Sequence, residues 1–518
     1  MTETAAAGVD LATTLTGLLA QVAARHPDGE VRHGDVAVAY RDLPDRVARL
    51  AGGLTAWGVA PGDHVAIWMR NRLEWVDAWF AVASVGAVLV PLNTRFAAAE
   101  AEYVLRQSRS SWLLWAAGEG ALDAAALEAM EERGFAPKGR AVFGAEPTTP
   151  GEMRFADLSA GPVPPVEDES AVGMIQYTSG STAFPKGAML RNRSLVRNAH
   201  GLAAAWQVTA EDRVLCSNPL FHCGGSVFAF LAGFVAGASV TLLDRWDVAT
   251  AVDVMEADGV TVFPGIDAAV RDLVSFGRRP PSLRLVSTAA DPGLMQQAAT
   301  VLGCEVSNVY GLTESSPNVF VGDLRDPLAM RIERIGQAQP GLEVGIRDPD
   351  TRLPLPPGET GVIVVRGWSL MTGYYDDPEA TAATLDADGY LWTGDLGMLT
   401  PDGYLFYKGR RKQMIKSGGE NVSIDEVEEA LRSHPDAVDA VVVAVPHARF
   451  GEVGFAFVRA GEGAVLSPEE LSTHCRTRLA GFKVPKHIRV VEDLPRTGSG
   501  KVDRQGLAAE ARAIVEGA

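Results

Sequence analysis

The feature that most constrains the fold of this chain is a hydroxyl-rich loop, YTSGSTAFPKG, at residues 177–187. Its eleven positions hold four aliphatic hydroxyls, two glycines, a proline and one lysine. A charge-free stretch at 171–175 leads into the loop, and a helix is predicted from Ser194 onward. Backbone N–H groups freed by glycine, hydroxyl donors and a cation together suit a polyphosphate ligand. The sequence therefore predicts a phosphate-binding loop followed by a helix.

Other nucleotide-binding loops fit the sequence less well. A Walker loop requires Gly-Lys-Ser/Thr at the start of a helix, whereas Lys186 is followed by Gly187 and Ala188. The segment 498–501, GSGK, continues with Val502 and supplies no hydroxyl for a metal ion. The GxGxxG pattern of dinucleotide-binding folds is absent from the sequence. Kinase and dehydrogenase functions are therefore disfavoured.

Composition indicates a soluble globular protein of several units. The chain has 518 residues, 47% hydrophobic and 22% charged, and length alone predicts about three or four units. A net charge of −18 argues against broad binding to nucleic acid or anionic membranes. The four cysteines lack metal-ligand spacing, and the N-terminus has no basic leader, so reduced thiols and a cytoplasmic location are predicted.

One charge-free stretch, 223–243, is long enough to cross a membrane. Four glycines interrupt it, and its last five residues, SVTLL, have the composition of a strand. We therefore expect a buried helix followed by a core strand, and no membrane span.

Short apolar strands alternate with alanine-rich helices, which predicts layered α/β architecture. Strands are predicted at 65–68, 285–287 and 362–365. From about residue 335 to 408 the composition shifts toward Gly, Pro and β-branched residues, which predicts a compact β-rich subdomain.

The charged turn at 409–412 is a candidate linker, after which a smaller α/β pattern begins. A helix is predicted at 424–434 and a strand at 441–445, and Ser467 with Glu470 forms a capping box for another helix. The predicted domains are therefore 1–408 and 413–518, joined by a hinge at 409–412.

Three later segments carry polar groups of the kind the loop requires: NVYGLTE at 308–314, GYLWTGD at 389–395 and PRTGSGK at 495–501. Taken singly, Glu314, Asp395 and Lys501 are equally well explained as a helix-start acid, a turn residue and a solvated surface charge. Their significance comes from occurring together.

Together with the phosphate loop, PLFH at 219–222 and the segment 409–420, these motifs resemble the adenylate-forming superfamily. This superfamily contains acyl-CoA synthetases, luciferases and the adenylation domains of peptide synthetases. The resemblance covers nearly the whole chain and is closest to acyl-CoA synthetases. It implies a large N-terminal AMP-binding domain of layered α/β subdomains and a small β-rich subdomain, hinged to a small, mobile α+β C-terminal domain.

The resemblance implies ATP-dependent activation of a medium-chain fatty or aromatic acid to an acyl-adenylate. Transfer to CoA would then release AMP, and ATP, Mg²⁺ and CoA are the expected ligands. Two alternatives stay open. The acyl-AMP could pass to a carrier-protein thiol, an amine or another nucleophile in natural-product biosynthesis, or the chain could be a non-catalytic nucleotide-binding module. The oligomeric state is also open, with a homodimer as one alternative.

The resemblance also implies the site residues. The catalytic set is Lys501, His222, Thr178 and Glu314. The metal ligands are Glu314 and Thr178, with Thr182 as an alternative to the threonine. The set for nucleotide and CoA is Thr178, Ser179, Gly180, Ser181, Thr182, Lys186, Ala289, Ala290, Asp291, Asn308, Tyr310, Gly311, Thr313, Asp395, Arg410, Lys412, Gly418, Gly419 and Lys501. The acyl pocket is expected to be lined by His222, Cys223, Gly224, Gly225, Phe263, Gly265, Gly311 and Ser315.

Within these sets the resemblance implies distinct roles. Lys501 would contact the acyl carboxylate and the α-phosphate, and Asp395 would accept the ribose hydroxyls. Lys412 would be the hinge about which the C-terminal domain turns to bring Gly418-Gly419 to the CoA tunnel.

Several residues near the C-terminus are expected to contact the CoA nucleotide, with a solvated basic face as an equal alternative: Phe450, Phe482, Lys483 and Lys486. The chain departs from the family pattern at Ala183-Phe184, where a glycine usually follows the hydroxyl of the phosphate loop. This departure leaves the rate of ATP turnover open.

Overall fold

The computed structural model describes residues 12–149, 151–178, 185–290, 292–410, 414–461, 463–495 and 502–517, apart from the side chains of residues 409, 410, 421, 425 and 505. Across these described residues, no helix combines the length and apolar character needed to cross a bilayer.

The strands, numbered in chain order, are β1 (Glu30–His33), β2 (Val36–Ala39), β3 (His64–Trp68), β4 (Val88–Pro91), β5 (Trp112–Ala116), β6 (Gly139–Phe143), β7 (Glu152–Arg154), β8 (Val172–Thr178), β9 (Lys186–Arg191), β10 (Arg213–Cys216), β11 (Ser239–Leu242), β12 (Val262–Pro264), β13 (Leu285–Thr288), β14 (Glu305–Gly311), β15 (Asn318–Val321), β16 (Gln337–Ala338), β17 (Leu342–Arg347), β18 (Thr360–Gly367), β19 (Leu391–Leu399), β20 (Leu405–Arg410), β21 (Met414–Ser417), β22 (Glu420–Ser423), β23 (Ala437–His447), β24 (Gly451–Ala460) and β25 (His487–Val491).

The helices are α1 (Leu15–Arg25), α2 (Leu43–Trp57), α3 (Leu73–Ser84), α4 (Ala98–Gln107), α5 (Ala124–Glu132), α6 (Asn192–Ala205), α7 (Cys223–Gly225), α8 (Ala232–Phe234), α9 (Val248–Ala257), α10 (Asp267–Phe276), α11 (Pro292–Leu302), α12 (Leu328–Glu333), α13 (Pro378–Thr384), α14 (Ile424–Arg432), α15 (Pro468–Arg476) and α16 (Arg504–Glu516). A π-helical segment at Ser226–Leu231 joins α7 to α8, and short 3₁₀ turns occur at Tyr40–Asp42, Phe155–Asp157 and Thr313–Ser315.

Two large sheets form the N-terminal domain. The first has the order β7-β6-β5-β3-β4-β8-β9 and is parallel except for the β8–β9 hairpin. The second has the order β16-β15-β14-β13-β12-β10-β11-β1-β2, with a parallel centre from β14 to β1. Helix α3 is buried at every position except Glu74, and its Trp79 and Phe80 rings contact Phe230 of the π-helical segment. A continuous apolar core therefore joins the helices of the two sheets.

Two smaller sheets complete the fold. Strands β17 to β20 form a four-stranded antiparallel sheet in chain order. The small C-terminal domain has a five-stranded sheet in which β24 pairs with β21, β23 and β25, and β22 pairs with β21. This sheet packs with α14 and α15 on an apolar core of its own. The predicted fold class, layered α/β with a small α+β C-terminal domain, is confirmed.

Local sequence signals explain these elements. The strands predicted at 65–68, 285–287 and 362–365 lie within β3, β13 and β18. The stretch 223–243 is a buried helical run followed by β11, as its glycines and terminal SVTLL predicted. Helix α15 begins at the capping box, where Glu470 N donates to Ser467 Oγ at 3.2 Å and Ser467 N donates to Glu470 Oε2 at 3.0 Å.

Candidate active site

A cavity of about 490 Å³ opens where the carboxyl ends of several strands meet the C-terminal domain. The end of β8, the loop after β10 and the segment after β14 all border it. Because parallel strands present their carboxyl ends at one edge, ligands of open α/β sheets bind at such an edge. This cavity is therefore the candidate active site.

The β8–β9 hairpin carries the phosphate-binding loop at its tip. Thr178, the last residue of β8, pairs directly with Lys186, the first residue of β9. Both residues border the cavity, and the Lys186 ammonium lies 5.5 Å from the centre of the Tyr374 ring. The hairpin thus brings a hydroxyl and a cation to the same side of the cavity. Residues 179–184, at the tip of the hairpin, lie outside the described part of the chain.

Glu314 lies in the 3₁₀ turn that follows β14 and borders the same cavity. The Tyr374 hydroxyl donates to Glu314 Oε1 at 2.7 Å, and Met371 N donates to the backbone carbonyl of Glu314 at 2.9 Å. Burial and the neighbouring Glu314 carboxylate raise the pKa of Tyr374, so its hydroxyl stays protonated and continues to donate. Tyr374 therefore fixes the direction of the Glu314 carboxylate.

Tyr310 and Asp395 form a buried pair. The Tyr310 hydroxyl donates to Asp395 Oδ2 at 2.9 Å, and the two side chains are 7% and 3% exposed. Burial and the Asp395 carboxylate raise the pKa of Tyr310 well above its usual range. Asp395 belongs to β19, whose neighbouring residues Thr393 and Gly394 border the cavity. A carboxylate is thus held in a fixed orientation by a tyrosine that remains protonated.

Asn308 braces the segment that follows β13. Its Nδ2 donates to Ala290 O at 2.8 Å, and its Oδ1 accepts from Ala290 N at 3.3 Å and from Val309 N at 3.0 Å. The amide of Asn308 therefore shapes the backbone at Ala289-Ala290, two residues of the predicted set for nucleotide and CoA.

His222 precedes α7 and caps it. Its Nδ1 accepts from Gly224 N at 3.0 Å, and the ring borders the cavity. Because Nδ1 accepts a hydrogen bond, a neutral ring carries its proton on Nε2. Cys223 is 1% exposed, and its sulfur lies 3.5 Å from Thr313 Oγ1. The arrangement places an imidazole N–H beside the cavity.

The structure divides the predicted acyl-pocket residues into two groups. His222 and Gly311 border the cavity, and at Gly311 a Cβ would lie 1.9 Å from Pro317 O. Phe263 points elsewhere, because its ring stacks on Trp246 at 5.5 Å within the core. Ser315 is fully buried, and its hydroxyl donates to Leu312 O and Pro317 O, both at 2.9 Å.

The glycines near this pocket pack against neighbouring groups. A Cβ on Gly225 would meet Pro219 O at 2.1 Å, a Cβ on Gly265 would meet the Phe263 ring at 2.7 Å, and a Cβ on Gly224 would meet His222 Nδ1 at 3.1 Å. Glycine at 225 and 265 is therefore required by close packing inside the protein.

Two buried asparagines that the sequence did not single out hold the His222 loop. Asn71 Nδ2 donates to Asn218 O at 2.9 Å and to Leu243 O at 3.0 Å, and its Oδ1 accepts from Leu220 N at 2.7 Å. Asn218 Nδ2 in turn donates to Pro264 O at 3.0 Å and Gly224 O at 3.1 Å. The sequence pattern that could have indicated them is an asparagine shortly after a buried strand: Asn71 follows β3, and Asn218 follows β10.

Gln176 is another cavity residue that the sequence did not reveal. It is 3% exposed, its Nε2 donates to Phe221 O at 2.9 Å, and its Oε1 is buried with no hydrogen-bond partner among the described residues.

The C-terminal domain closes one side of the cavity through Met414, Glu420, Phe482 and Lys483. Glu420 Oε1 lies 3.4 Å from Arg95 Nη1 of the N-terminal domain. The adjoining Gly418 and Gly419 have positive φ of 58° and 84°, and a Cβ on Gly419 would meet Ile266 at 2.7 Å. The β21–β22 turn therefore abuts the N-terminal domain with a backbone that favours glycine.

The residues predicted to contact the CoA nucleotide have different environments. Phe450 is half-buried, and the Arg449 and Lys486 cations lie 5.4 and 5.6 Å from its ring centre. Lys483, by contrast, is 3% exposed and bonded to two carboxylates, Glu100 and Glu426. In this arrangement its ammonium group is buried and already paired, and its predicted contact with the CoA nucleotide stays a prediction.

Several predicted site residues lie outside the described part of the chain. They are Ser179, Gly180, Ser181, Thr182, Asp291, Lys412, Lys501 and the side chain of Arg410. Their assigned roles stay predictions.

Comparison with known proteins gives consistent matches over the length of the chain. Residues 19–375 match the family model described as AMP-binding enzyme, and residues 426–501 match the AMP-binding enzyme C-terminal domain. A feruloyl-CoA synthase from Amycolatopsis sp is 37% identical, covering 91% of this chain and 94% of its own.

Among solved structures, one protein appears in two states. A double mutant of o-succinylbenzoate CoA synthetase from Bacillus subtilis, bound with its product analogue OSB-NCoA, gives a TM-score of 0.83 at 28% identity, covering 95% of this chain and 98% of its own. The o-succinylbenzoate synthetase from the same organism in complex with AMP gives a TM-score of 0.67 at 27% identity, covering 95% and 97%. The overall arrangement of this chain is thus more similar to the first state than to the second.

Proposed function

This chain belongs to the AMP-binding enzyme family, and from that premise we propose that its cavity activates a medium-chain fatty or aromatic carboxylic acid. The enzyme is an AMP-forming acid–CoA ligase: ATP activates the acid, and CoA then receives the acyl group. The observation that carries the assignment to this cavity is convergence. Thr178 and Lys186 of the β8–β9 hairpin, His222 of the loop after β10 and Glu314 of the turn after β14 come from three separate segments and border one cavity closed by the C-terminal domain.

In the proposed first step, a carboxylate oxygen of the acid attacks the α-phosphorus of ATP. A bond to the α-phosphorus forms, and the bond between that phosphorus and the bridging oxygen of pyrophosphate breaks. The protein contributes positioning and charge neutralisation. Lys186 and Thr178 would hold the departing phosphates, and Asp395, oriented by Tyr310, would accept hydrogen bonds from the ribose. Lys501, assigned from its motif, would neutralise charge at the reacting atoms.

The residues present fit a magnesium ion bound with the nucleotide. Mg²⁺ is held by one or two carboxylates together with substrate phosphates and water. Glu314 supplies a carboxylate at the cavity, oriented by Tyr374, and Thr178 supplies a hydroxyl near the phosphate loop. When bound, the Mg²⁺ ion would neutralise phosphate charge, and the Glu314 carboxylate would hold the ion.

In the proposed second step, the CoA thiol attacks the acyl carbon, and AMP leaves with the bonding electrons while the thiol proton passes to solvent. The position of the β21–β22 turn against Ile266, with Glu420 at the cavity, supports a tunnel for the thiol arm along this turn. The higher similarity to the synthetase bound to a CoA product analogue than to the one bound to AMP supports the same interpretation. Lys412 would be the hinge between the two arrangements.

The acid itself is proposed as aromatic or medium-chain. The cavity wall includes Pro91, Phe96, Phe221 and Leu312 beside His222, which provides apolar and aromatic surface for a ring or alkyl chain. The similarity to a feruloyl-CoA synthase favours the aromatic class.

The test is a panel of phenylpropenoic, benzoic and medium-chain fatty acids, each incubated with ATP and Mg²⁺, with and without CoA. We expect acid-dependent exchange of pyrophosphate into ATP without CoA, and a thioester detected by mass spectrometry with CoA. Exchange without any thioester would assign the acyl group to another acceptor. No exchange with any acid would refute the proposal.

A further inference from the structure

Lys483 occupies an unusual position for a lysine, because its side chain is only 1% exposed. Its Nζ donates to Glu100 Oε1 at 2.8 Å and to Glu426 Oε1 at 2.7 Å. The Phe96 ring centre lies 5.1 Å from the same ammonium. Although burial lowers the pKa of Lys483, the two carboxylates outweigh it and raise the pKa, so the lysine is charged in this arrangement.

The two carboxylates belong to different domains. Glu426 is on α14 of the C-terminal domain, which also contains Lys483 just before β25. Glu100 is on α4, whose Ala101, Val104 and Leu105 pack in the core of the seven-stranded sheet. The Lys483–Glu426 bond therefore moves with the C-terminal domain, whereas the Lys483–Glu100 bond exists only while the two domains are in this contact.

Glu100 is held in place by a contact within its own domain. It is the third residue of α4, and its Oε2 accepts from Ala97 N at 2.8 Å at the start of the helix. The other oxygen, Oε1, points to Lys483. Because the carboxylate is preorganised, little side-chain entropy is lost when the bond to Lys483 forms.

The surroundings make this bond sensitive to separation. Ala480 is fully packed in the same core as Phe96, and Phe482 packs against it, so the domains exclude water around the ammonium. Charge-assisted hydrogen bonds are strongest where water is excluded. A second ion pair between the domains among the described residues, Arg95 to Glu420, is longer at 3.4 Å and its arginine is 46% exposed, so it contributes less.

We propose that Glu100 is a positioning residue that holds the C-terminal domain in the thioester-forming arrangement by accepting a hydrogen bond from Lys483. The inference rests on the proposed function for the identity of that arrangement. During adenylation the C-terminal domain rotates away, the Lys483–Glu100 bond breaks, and Lys483 keeps Glu426 as its partner. Glu100 therefore sets the balance between the two half-reactions without contacting acid, ATP or CoA.

The decisive variant is Glu100→Gln, which keeps the size and the capping ability of the side chain but removes its charge. Glu102→Gln is the matched control. It makes the same change on the same helix, where Glu102 pairs with Arg106 and Arg133 within the N-terminal domain. Lys483→Met removes the donor of the same Lys483–Glu100 bond, and it replaces Glu100→Gln in the experiment if that variant does not fold.

The first readout is the distance between the two domains, measured by pulsed electron paramagnetic resonance on the full-length chain without ligand. Each sample carries two spin labels. One is at Val465→Cys on the C-terminal domain, where the native residue is 92% exposed, and the other is at Val36→Cys or Leu353→Cys on the N-terminal domain. The partly exposed Cys304 is replaced by serine, since the other three cysteines are buried. We expect the wild-type and Glu102→Gln proteins to populate the distance of this structure, and Glu100→Gln to lose about tenfold in that population.

The second readout separates the half-reactions, using an acid that the wild-type enzyme accepts. For Glu100→Gln, thioester formation from supplied acyl-adenylate and CoA falls about tenfold, while pyrophosphate exchange does not fall. In the Glu100→Gln/Lys483→Met double variant the loss does not exceed that of Lys483→Met alone, because both changes remove the same Lys483–Glu100 bond.

The distance measurement requires no turnover, so its result is independent of whether the correct acid has been found. Identical distance distributions for wild type and Glu100→Gln would overturn the inference even if the enzyme proves to be an active acid–CoA ligase. Equal loss in both half-reactions would also overturn it, because this indicates a general structural defect.

Discussion

Asn71 offers the sharpest test of how this fold positions its site. Its amide is 2% exposed and joins the end of β3 to the loop that carries His222. Asn71→Leu keeps the volume but removes one acceptor, for Leu220 N, and the donor for Asn218 O and Leu243 O. A buried hydrogen bond contributes about 1 kcal/mol, and an orphaned buried polar group costs about 1–3 kcal/mol. Loss of these three contacts, the shortest of the four that the Asn71 amide makes, predicts a decrease of about 3–5 kcal/mol in the free energy of unfolding.

The assay is urea denaturation followed by tryptophan fluorescence. Trp68, Trp75, Trp79 and Trp206 are fully buried in the N-terminal domain, so their emission reports its unfolding. The control is Gln296→Ala, which removes an exposed amide bonded to Thr300 Oγ1 at 2.9 Å and should change stability by less than about 0.5 kcal/mol. If Asn71→Leu costs no more than Gln296→Ala, the amide is not a structural tie and the reasoning fails. We also expect pyrophosphate exchange by Asn71→Leu to increase less when the carboxylic acid substrate is added, since the His222 loop would shift.

Three further predictions concern single residues. Tyr374→Phe removes the hydrogen bond that orients Glu314 and should lower the rate of pyrophosphate exchange about tenfold. The decrease should be smaller at a higher Mg²⁺ concentration. An unchanged rate would show that Tyr374 does not support the site. Lys501→Ala should reduce exchange by about 10²–10³, whereas thioester formation from supplied adenylate should persist, and loss of both activities would contradict the assigned role. Asp212 is paired with Arg284; although burial raises its pKa, that pair and further hydrogen bonds lower it overall. A lowered folded-state pKa gives stability that is present above the unfolded value of about 3.9 and is lost as pH falls through the folded value. Asp212→Asn should therefore flatten the decline in stability measured by urea titration between about pH 5 and pH 2, and an unaltered profile would exclude this contribution.

Elements with a strong local pattern could be predicted from the sequence. The helical run and strand within 223–243 followed from glycine placement and β-branched residues, and the start of α15 followed from Ser467 and Glu470. In each case the determining residues lie within a few positions of one another. Local propensity and the tertiary fold agree there, as expected of natural sequences.

Contacts between distant residues could not be predicted in this way. Lys483 and Glu100 are 383 positions apart, so nothing near Lys483 in the sequence indicated a buried ion pair. A basic residue beside an aromatic one is as typical of a ligand contact as of a solvated face, and the structure gave a third outcome. Tyr374 and Asn71 were missed for the same reason, since their partners lie 60 and 149 positions away.

Phe263 shows a different limit. Strands of a parallel sheet are buried on both faces, so their residues are apolar throughout and alternation does not indicate which face meets a cavity. Val262, Phe263 and Pro264 of β12 are all fully or nearly fully buried. Only the packing of α9 and α10 decides that the Phe263 ring turns to Trp246 and away from the site.

The segment 308–315 illustrates why a motif predicts a site more reliably than it predicts the role of each member. Gly311, Thr313 and Glu314 border the cavity, whereas Asn308, Tyr310 and Ser315 bond to protein groups beside it. The inner residues fix the backbone and the Asp395 carboxylate, and the outer ones face the ligand. Both groups are needed for the chemistry, so both belong to the motif. Substituting an inner residue should therefore disturb geometry and stability together, whereas substituting Glu314 should lower activity at nearly unchanged stability.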